Sequence, residues 1–314
     1  MTRPVDPQMR RILAALLAAP AVDLQALPMA QARATFETQQ APWRWRARPI
    51  ETRDLDVPGA AGPMRARLYL PRPGAPAPLV LYAHGGGWTF GSIDTHDTII
   101  AGLAIDSGAA VLGVDYRLAP EHPFPAPVDD LLAALGFVEA GGLGREVDPA
   151  RIALAGDSAG ANIALGALIA RREAGGALPR TAALYYGCYA PIFDTQSHRD
   201  CGEGYLLRSE MMRWYWRNFL GPHQESAPPP AAAPLVADLT GLPPLYLNAA
   251  GLDPLLDDTM MIAARLASAG VRHRLDVYPG VVHGFLRLAR DLPAARTAIA
   301  DSAAWIAARF AAQE

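Results

Sequence analysis

From residue 79 onward the chain alternates short apolar runs with longer amphipathic stretches. The runs fall at 79–83, 110–114, 152–155, 182–186, 245–249 and 275–278. Most of them are too continuously apolar for a strand with one wet face, so they read as strands covered on both sides. Segments with helical spacing lie between most of them, at 95–106, 128–139, 161–172, 257–269 and 294–312. This order predicts an α/β fold: a mostly parallel, twisted central sheet with helices on both faces. Right-handed crossovers then bring the loops that follow the strands to one edge, where such sheets bind ligands. Ahead of this series, residues 65–70 alternate polar and apolar positions like a half-buried strand, and 71–78 form a turn-rich connection.

Two regions fall outside the rhythm. The first forty-odd residues read as helical up to Pro42, with Asp6-Pro7 as a start that puts proline at the first helical position. The apolar run 12–22 behind Arg10 and Arg11 has the outline of a short signal peptide. An amphipathic helix is the preferred reading, because Asp23, Gln25, Gln31 and Arg33 carry the helical character further. The second region is 187–244, which interrupts the strand–helix alternation with Phe193, Tyr205, Met211, Met212, Trp214, Tyr215, Trp216 and Phe219. A helix is expected over 209–219, followed by a Pro/Ala-rich return at 227–234. Its basic-aromatic stretch 213–217 could face a membrane, but a lid helix packing its aromatics inward is preferred. The expected organisation is therefore cap helices at 1–45, core at 46–187, a cap insertion at 188–235 and core again at 236–314.

Trp43 and Trp45, interleaved with Arg44, Arg46 and Arg48, suggest amphipathic side chains lying across a groove rather than a binding strip. Composition narrows the function classes. The chain has 314 residues, of which 51% are hydrophobic and 19% charged, with a net charge of −3. Without a basic block, nucleic-acid binding has little electrostatic support. No apolar run is long enough to span a bilayer, so no stable membrane insertion is expected. Cys188 and Cys201 are the only cysteines and read as ordinary thiols of a cytoplasmic protein.

The chemistry sits in the loops after the strands. Gly156-Asp-Ser-Ala-Gly160 matches G-x-S-x-G where a strand meets a helix, the setting of a nucleophile elbow that lifts Ser158 above the sheet. The flanking glycines are needed because side chains there would strike the neighbouring strand or helix. His84-Gly-Gly-Gly-Trp88 follows another strand, and its glycines can turn backbone amides toward a developing oxyanion. Gly85, Gly86 and Ala159, the residue after the serine, are the expected donors. His84 itself reads as a structural pin. In the chain order serine, acid, histidine, Asp253 and His283 both follow strands and fall on the same edge. Asp257 and Asp258 are rivals to Asp253, but both open the next helix, where the helix dipole favours acids. Ser158 would be the nucleophile, His283 the general base and Asp253 the acid that orients it, with no metal or organic cofactor. Trp88, Tyr189, Leu207, Met211, Trp214 and Phe285 are the expected pocket lining.

Taken together, His84-Gly-Gly-Gly-Trp88, Asp115-Tyr-Arg-Leu-Ala-Pro-Glu121, Gly156-Asp-Ser-Ala-Gly160, Asp253-Pro-Leu255 and His283-Gly-Phe285 resemble the bacterial hormone-sensitive-lipase-like (family IV) esterases. The resemblance spans nearly the whole chain. It implies an α/β-hydrolase fold with a helical cap built from the N-terminus and from an insertion after the sixth strand. It also implies a small-molecule ester as substrate, mainly with short acyl chains, and a homodimer formed through the edge strand near the C-terminus. One departure is Leu256, where the family usually has arginine. Acyl transfer or amide hydrolysis through the same triad is the alternative, and a fold that binds a small ligand without turnover is a second.

Overall fold

The computed structural model describes residues 4–18, 20, 22–71, 76–221 and 228–312. Its eight strands are β1 (Glu51–Gly59), β2 (Gly62–Leu70), β3 (Ala77–Ala83), β4 (Ala110–Val114), β5 (Val147–Asp157), β6 (Thr181–Tyr185), β7 (Leu245–Leu252) and β8 (His273–Val282). They form one sheet in the order β1-β2-β4-β3-β5-β6-β7-β8. β1 and β2 are antiparallel, β2 meets β4 antiparallel, and every later pairing is parallel.

The alternation within each strand sorts the core into two layers. Leu79, Leu81, Leu112, Leu154, Leu184 and Leu247 face one layer. Val80, Tyr82, Val111, Ala153, Tyr185 and Tyr246 face the other. In the register, Leu81 lies between Leu112 and Leu154, so one row of leucines crosses the middle of the sheet. This two-sided burial is why those strands read as continuous apolar runs.

The helices are α1 (Pro7–Ala18), α2 (Met29–Gln40), α3 (Asp97–Ser107), α4 (Ala126–Glu139), α5 (Ala159–Glu173), α6 (Gln196–Cys201), α7 (Ser209–Leu220), α8 (Leu256–Ser268) and α9 (Pro293–Ala311). α3 and α9 cover one face of the sheet, and α4, α5 and α8 the other. α1 starts as the sequence predicts: Asp6 accepts from the amides of Gln8 and Met9, both at 2.9 Å, with Pro7 at the first helical position. The Asp6 amide donates to Gly280 O at 2.9 Å, which fastens the N-terminal helix to the end of β8.

Three elements differ from the sequence expectation. The sequence pattern predicts no strand where β1 lies, and β2 begins three residues before residue 65. β1 is an edge strand in which Glu51, Arg53, Asp54 and Asp56 are all exposed, and it contains Pro58. An edge tolerates both charge and proline, which blurs the strand pattern. α6 also went unread, because six residues with no apolar stripe leave no period to detect. The turn expected at 71–78 lies partly outside the described residues, as does the start of the Pro/Ala-rich return at 227.

The Trp43–Arg48 strip is bound within the chain. Arg46 forms a two-pronged ion pair with Asp97, and Trp45 N–H donates to Thr98 Oγ1 at 2.8 Å. Helix α7, where a lid helix was expected, turns Met212, Tyr215, Trp216 and Phe219 inward, so these aromatics pack on the core. No disulfide joins Cys188 and Cys201, which are both buried. Among the described residues no helix is long and apolar enough to cross a membrane.

Candidate active site

Three loops at the carboxyl ends of β5, β7 and β8 converge. Ser158 follows β5 directly, and its backbone sits at φ +55°, ψ −118°, a region that non-glycine residues avoid. Close packing maintains this strain. A Cβ on Gly160 would lie 2.0 Å from Ala83 O, and one on Gly156 would lie 2.4 Å from Gly160 O. Both clashes are with backbone, so no side-chain movement could relieve them. The Ser158 amide donates to Tyr185 O at 2.8 Å, which anchors the turn to β6.

His283 Nε2 stands 2.9 Å from Ser158 Oγ, and His283 Nδ1 stands 2.7 Å from Asp253 Oδ2. The second carboxylate oxygen of Asp253 accepts from the Leu255 amide at 2.8 Å. Asp253 has no exposed surface, whereas the His283 side chain keeps 11% exposure. The Tyr186 ring meets the imidazole edge-on with centroids 5.0 Å apart, which limits its rotation. Side chains up to 125 residues apart in sequence thus form one line of hydrogen-bonding atoms.

The glycine loop corrects one sequence expectation. Gly85 was expected to donate to an oxyanion, but its amide donates to Asp157 Oδ1 at 2.9 Å. That N–H is already committed. Gly86 and Gly87 follow it with positive φ, and the Tyr215 ring occupies the space where a Gly87 side chain would stand. Ala159 opens α5, where helix amides lack intrahelical acceptors. Asp157 lies inside the G-x-S-x-G motif, which by itself assigns that position no task. It also accepts from Tyr82 Oη at 2.8 Å and lies 3.4 Å from His96 Nε2. Burial pushes its carboxyl up, but the charge and hydrogen bond of His96, together with Tyr82, outweigh this and hold it well below the usual carboxylate range. Asp157 therefore stays ionised and ties the serine turn to the glycine loop.

His84 acts as the structural pin that was expected. Burial, with His96 nearby, lowers it to about 4, so it is neutral. Its ring stacks on Tyr116 at 4.4 Å, and Tyr116 Oη donates to His84 O at 2.7 Å. The Asp115–Glu121 run is a brace: Asp115 accepts from the Ile93 amide, Arg117 pairs with buried Asp130, and Glu121 pairs with Arg33 of α2.

The rivals to Asp253 stand in the first turn of α8, as expected, and each also has a partner of its own. Asp257 accepts from the Ser197 amide at 2.8 Å, which links α8 to α6. Asp258 is buried and accepts from the Tyr189 amide at 2.8 Å, and burial raises its carboxyl to about 8.

The expected pocket lining divides. Met211 and Trp214 are half-buried, and Leu207 keeps 9% exposure. Trp88, Tyr189 and Phe285 have none. Trp88 stacks on Phe219 at 4.2 Å, and Phe285 packs on Tyr186 and Tyr278 in the opposite core layer. Trp88 and Phe285 thus belong to the packing beneath the site rather than to its lining.

Comparison with known proteins identifies the family. A family profile described as alpha/beta hydrolase fold matches residues 80–287. The chain is an α/β hydrolase of the hormone-sensitive-lipase-like group. The hydrolase is 38% identical over 250 residues to the carboxylic ester hydrolase LipN of Mycobacterium tuberculosis, a match covering 76% of this chain and 65% of that protein. Among solved structures, the hydrolase superposes on an esterase of Pyrobaculum calidifontis with a TM-score of 0.88 at 36% identity, covering 98% of this chain and 100% of that one. A thermostable esterase from Pseudomonas putida ECU1011 gives a TM-score of 0.93 at 28% identity, with both chains covered in full (100%).

Proposed function

We propose that this hydrolase is a serine carboxylesterase acting on short-chain acyl esters. The observation that carries the reading is the unbroken line from Ser158 Oγ through both nitrogens of His283 to Asp253, with spacings of 2.9 and 2.7 Å. His283 takes the serine proton as Oγ attacks the ester carbonyl. Asp253 fixes the tautomer that leaves Nε2 free to accept, and stabilises the imidazolium that forms. The amides of Gly86, Gly87 and Ala159 meet the oxyanion, each contributing about 3 kcal/mol to the transition state. The imidazolium then returns its proton to the departing alcohol, and water attacks the acyl-enzyme by the same route in reverse.

The names of the relatives support ester hydrolysis as the reaction. α7 supports the short-chain preference, because Tyr215 presses on Gly87 and Trp214 stacks on Phe90, which leaves little room for a long tail. Acyl transfer to an alcohol and amide hydrolysis share the acyl-enzyme, and a competing-alcohol assay separates transfer from hydrolysis. A binding role without turnover would not require the full line of three side chains.

The test is hydrolysis of p-nitrophenyl esters with about two to about sixteen acyl carbons, a range that brackets a compact pocket. The rate should peak at short chains. Ser158→Ala should lose at least about 10⁴-fold in kcat with an unchanged circular dichroism spectrum. A rate still climbing beyond about ten carbons would refute the short-chain reading, and an active Ser158→Ala enzyme would refute the triad.

A further inference from the structure

Arg287 stands in the turn after His283, and the chemistry proposed above gives it no task. The turn runs Phe285–Leu288. A Cβ built on Gly284 would lie 2.7 Å from Arg287 Nη2, so the guanidinium folds back over the residue next to His283. Its Nη1 donates to Gln40 Oε1 at 2.7 Å, at the end of α2. Its Nε is buried without a hydrogen-bond partner. Among the described residues no acidic side chain forms an ion pair with it.

Most half-buried arginines of the fold differ from it; Arg309, which lies over the Trp305 ring, shares the partnerless buried Nε. Arg46, Arg65, Arg67, Arg117 and Arg171 are half-buried or nearly so, and each holds a carboxylate. That is the usual way to offset the cost of removing a guanidinium from water. The Arg287 charge acts instead on the site itself, because it favours the ionised forms of Asp157, Tyr186 and Tyr215. Asp157 precedes Ser158, Tyr186 packs on the His283 ring, and Tyr215 touches Gly87. A cation that forms no ion pair among the described residues therefore stands near the ionised Asp157 and beside the His283 loop, where that loop meets α2.

We propose that Arg287 is a specificity residue that binds a carboxylate of the substrate, so the preferred substrates are esters carrying a second, anionic carboxyl group. The inference rests on the esterase reading. A guanidinium suits this task because its planar fork matches a carboxylate with two parallel hydrogen bonds. The carboxylate takes no part in bond making, so it is held equally in the ground and transition states, and its loss is read mainly in KM.

The experiment compares two neutral esters, p-nitrophenyl butyrate and phenyl acetate, with two anionic ones. Mono-p-nitrophenyl glutarate carries its carboxylate on the acyl side, and 4-acetoxybenzoate carries it on the alcohol side. In Arg287→Met, the ratio of kcat/KM for one anionic ester to that for its neutral counterpart should fall roughly ten- to hundredfold, mostly through KM. Arg287→Lys should recover part of the ratio, because it restores the charge without the fork. Gln40→Leu removes the same internal hydrogen bond but keeps the cation, and should preserve the ratio. In the unmodified enzyme, rising salt should raise KM for the anionic ester only, a readout that does not depend on any variant folding. Which ester responds tells which half of the substrate carries the anion. Equal losses on charged and neutral esters, or no change in the ratio together with no salt effect, would overturn the proposal. If the unmodified enzyme leaves the neutral esters intact as well, the esterase reading itself fails.

Discussion

Replacing Asp258 with asparagine should change how stability depends on pH. The carboxyl has 1% exposure, and burial raises it from its ordinary 3.8 to about 8. Its Oδ1 accepts from the Tyr189 amide, while Oδ2 is buried with no partner. Between those two pH values the folded state keeps a proton that the unfolded chain has released. Folding stability is therefore greatest on this account below about pH 4, falls as pH rises, and levels off above about pH 8. At about 1.4 kcal/mol per pH unit, the stretch from about pH 5 to about pH 8 corresponds to about 4 kcal/mol lost from the unmodified protein. Asparagine keeps the acceptor for Tyr189 but does not titrate. Other carboxylates, such as Asp94 and Asp148, are held low by Arg67 and Arg151 and push the profile the opposite way at acid pH. The diagnostic quantity is therefore the difference between the two proteins, which cancels those shared terms. Urea unfolding followed by tryptophan fluorescence at pH steps from about 5 to about 9 supplies it. The asparagine variant should gain steadily on the parent up to about pH 8 and then hold its lead. A difference that stays flat over that range would refute the reasoning, and a variant that loses ground as pH rises would reverse its sign.

Further outcomes follow from the site and its packing. Asp253→Asn should lower kcat by about 10⁴-fold while the fold persists, because the amide favours the wrong imidazole tautomer; steady-state kinetics on a short-chain ester measure it. Gly160→Ala places a Cβ 2.0 Å from Ala83 O, and should lower stability by at least about 2 kcal/mol in urea unfolding. Gly136→Ala is the contrasting control: it lies on the exposed side of α4 with nothing within 4 Å of the new methyl, and should raise stability by about 0.5–1 kcal/mol.

The chain's own pattern determined the parallel part of the sheet, its covering helices and the loops that carry the chemistry. Interior parallel strands are buried on both faces, so their apolar runs stand out without any knowledge of what they pack against. The serine turn was legible for a related reason. Gly156 and Gly160 are demanded by backbone contacts within a few ångströms, and that demand is written locally as a five-residue motif. Asp253 and His283 were found by their places after strands, because the topology sends every such loop to the same edge.

What only the tertiary structure decided is how individual donors and charges are used. A run of three glycines does not say which amide is free; Asp157, from a different strand, takes the first. Asp257 and Asp258 look like a pair at a helix start, yet one accepts from an amide in the first turn of α6 and the other is buried against the Tyr189 amide. Nothing in the local sequence marks Arg287, yet the fold sets it beside Gln40, from 247 residues away, with no ion pair among the described residues. The physical reason is common to these cases. Periodicity reports the average burial of an element, whereas the partner of a polar atom depends on a few ångströms of approach between segments distant in the chain.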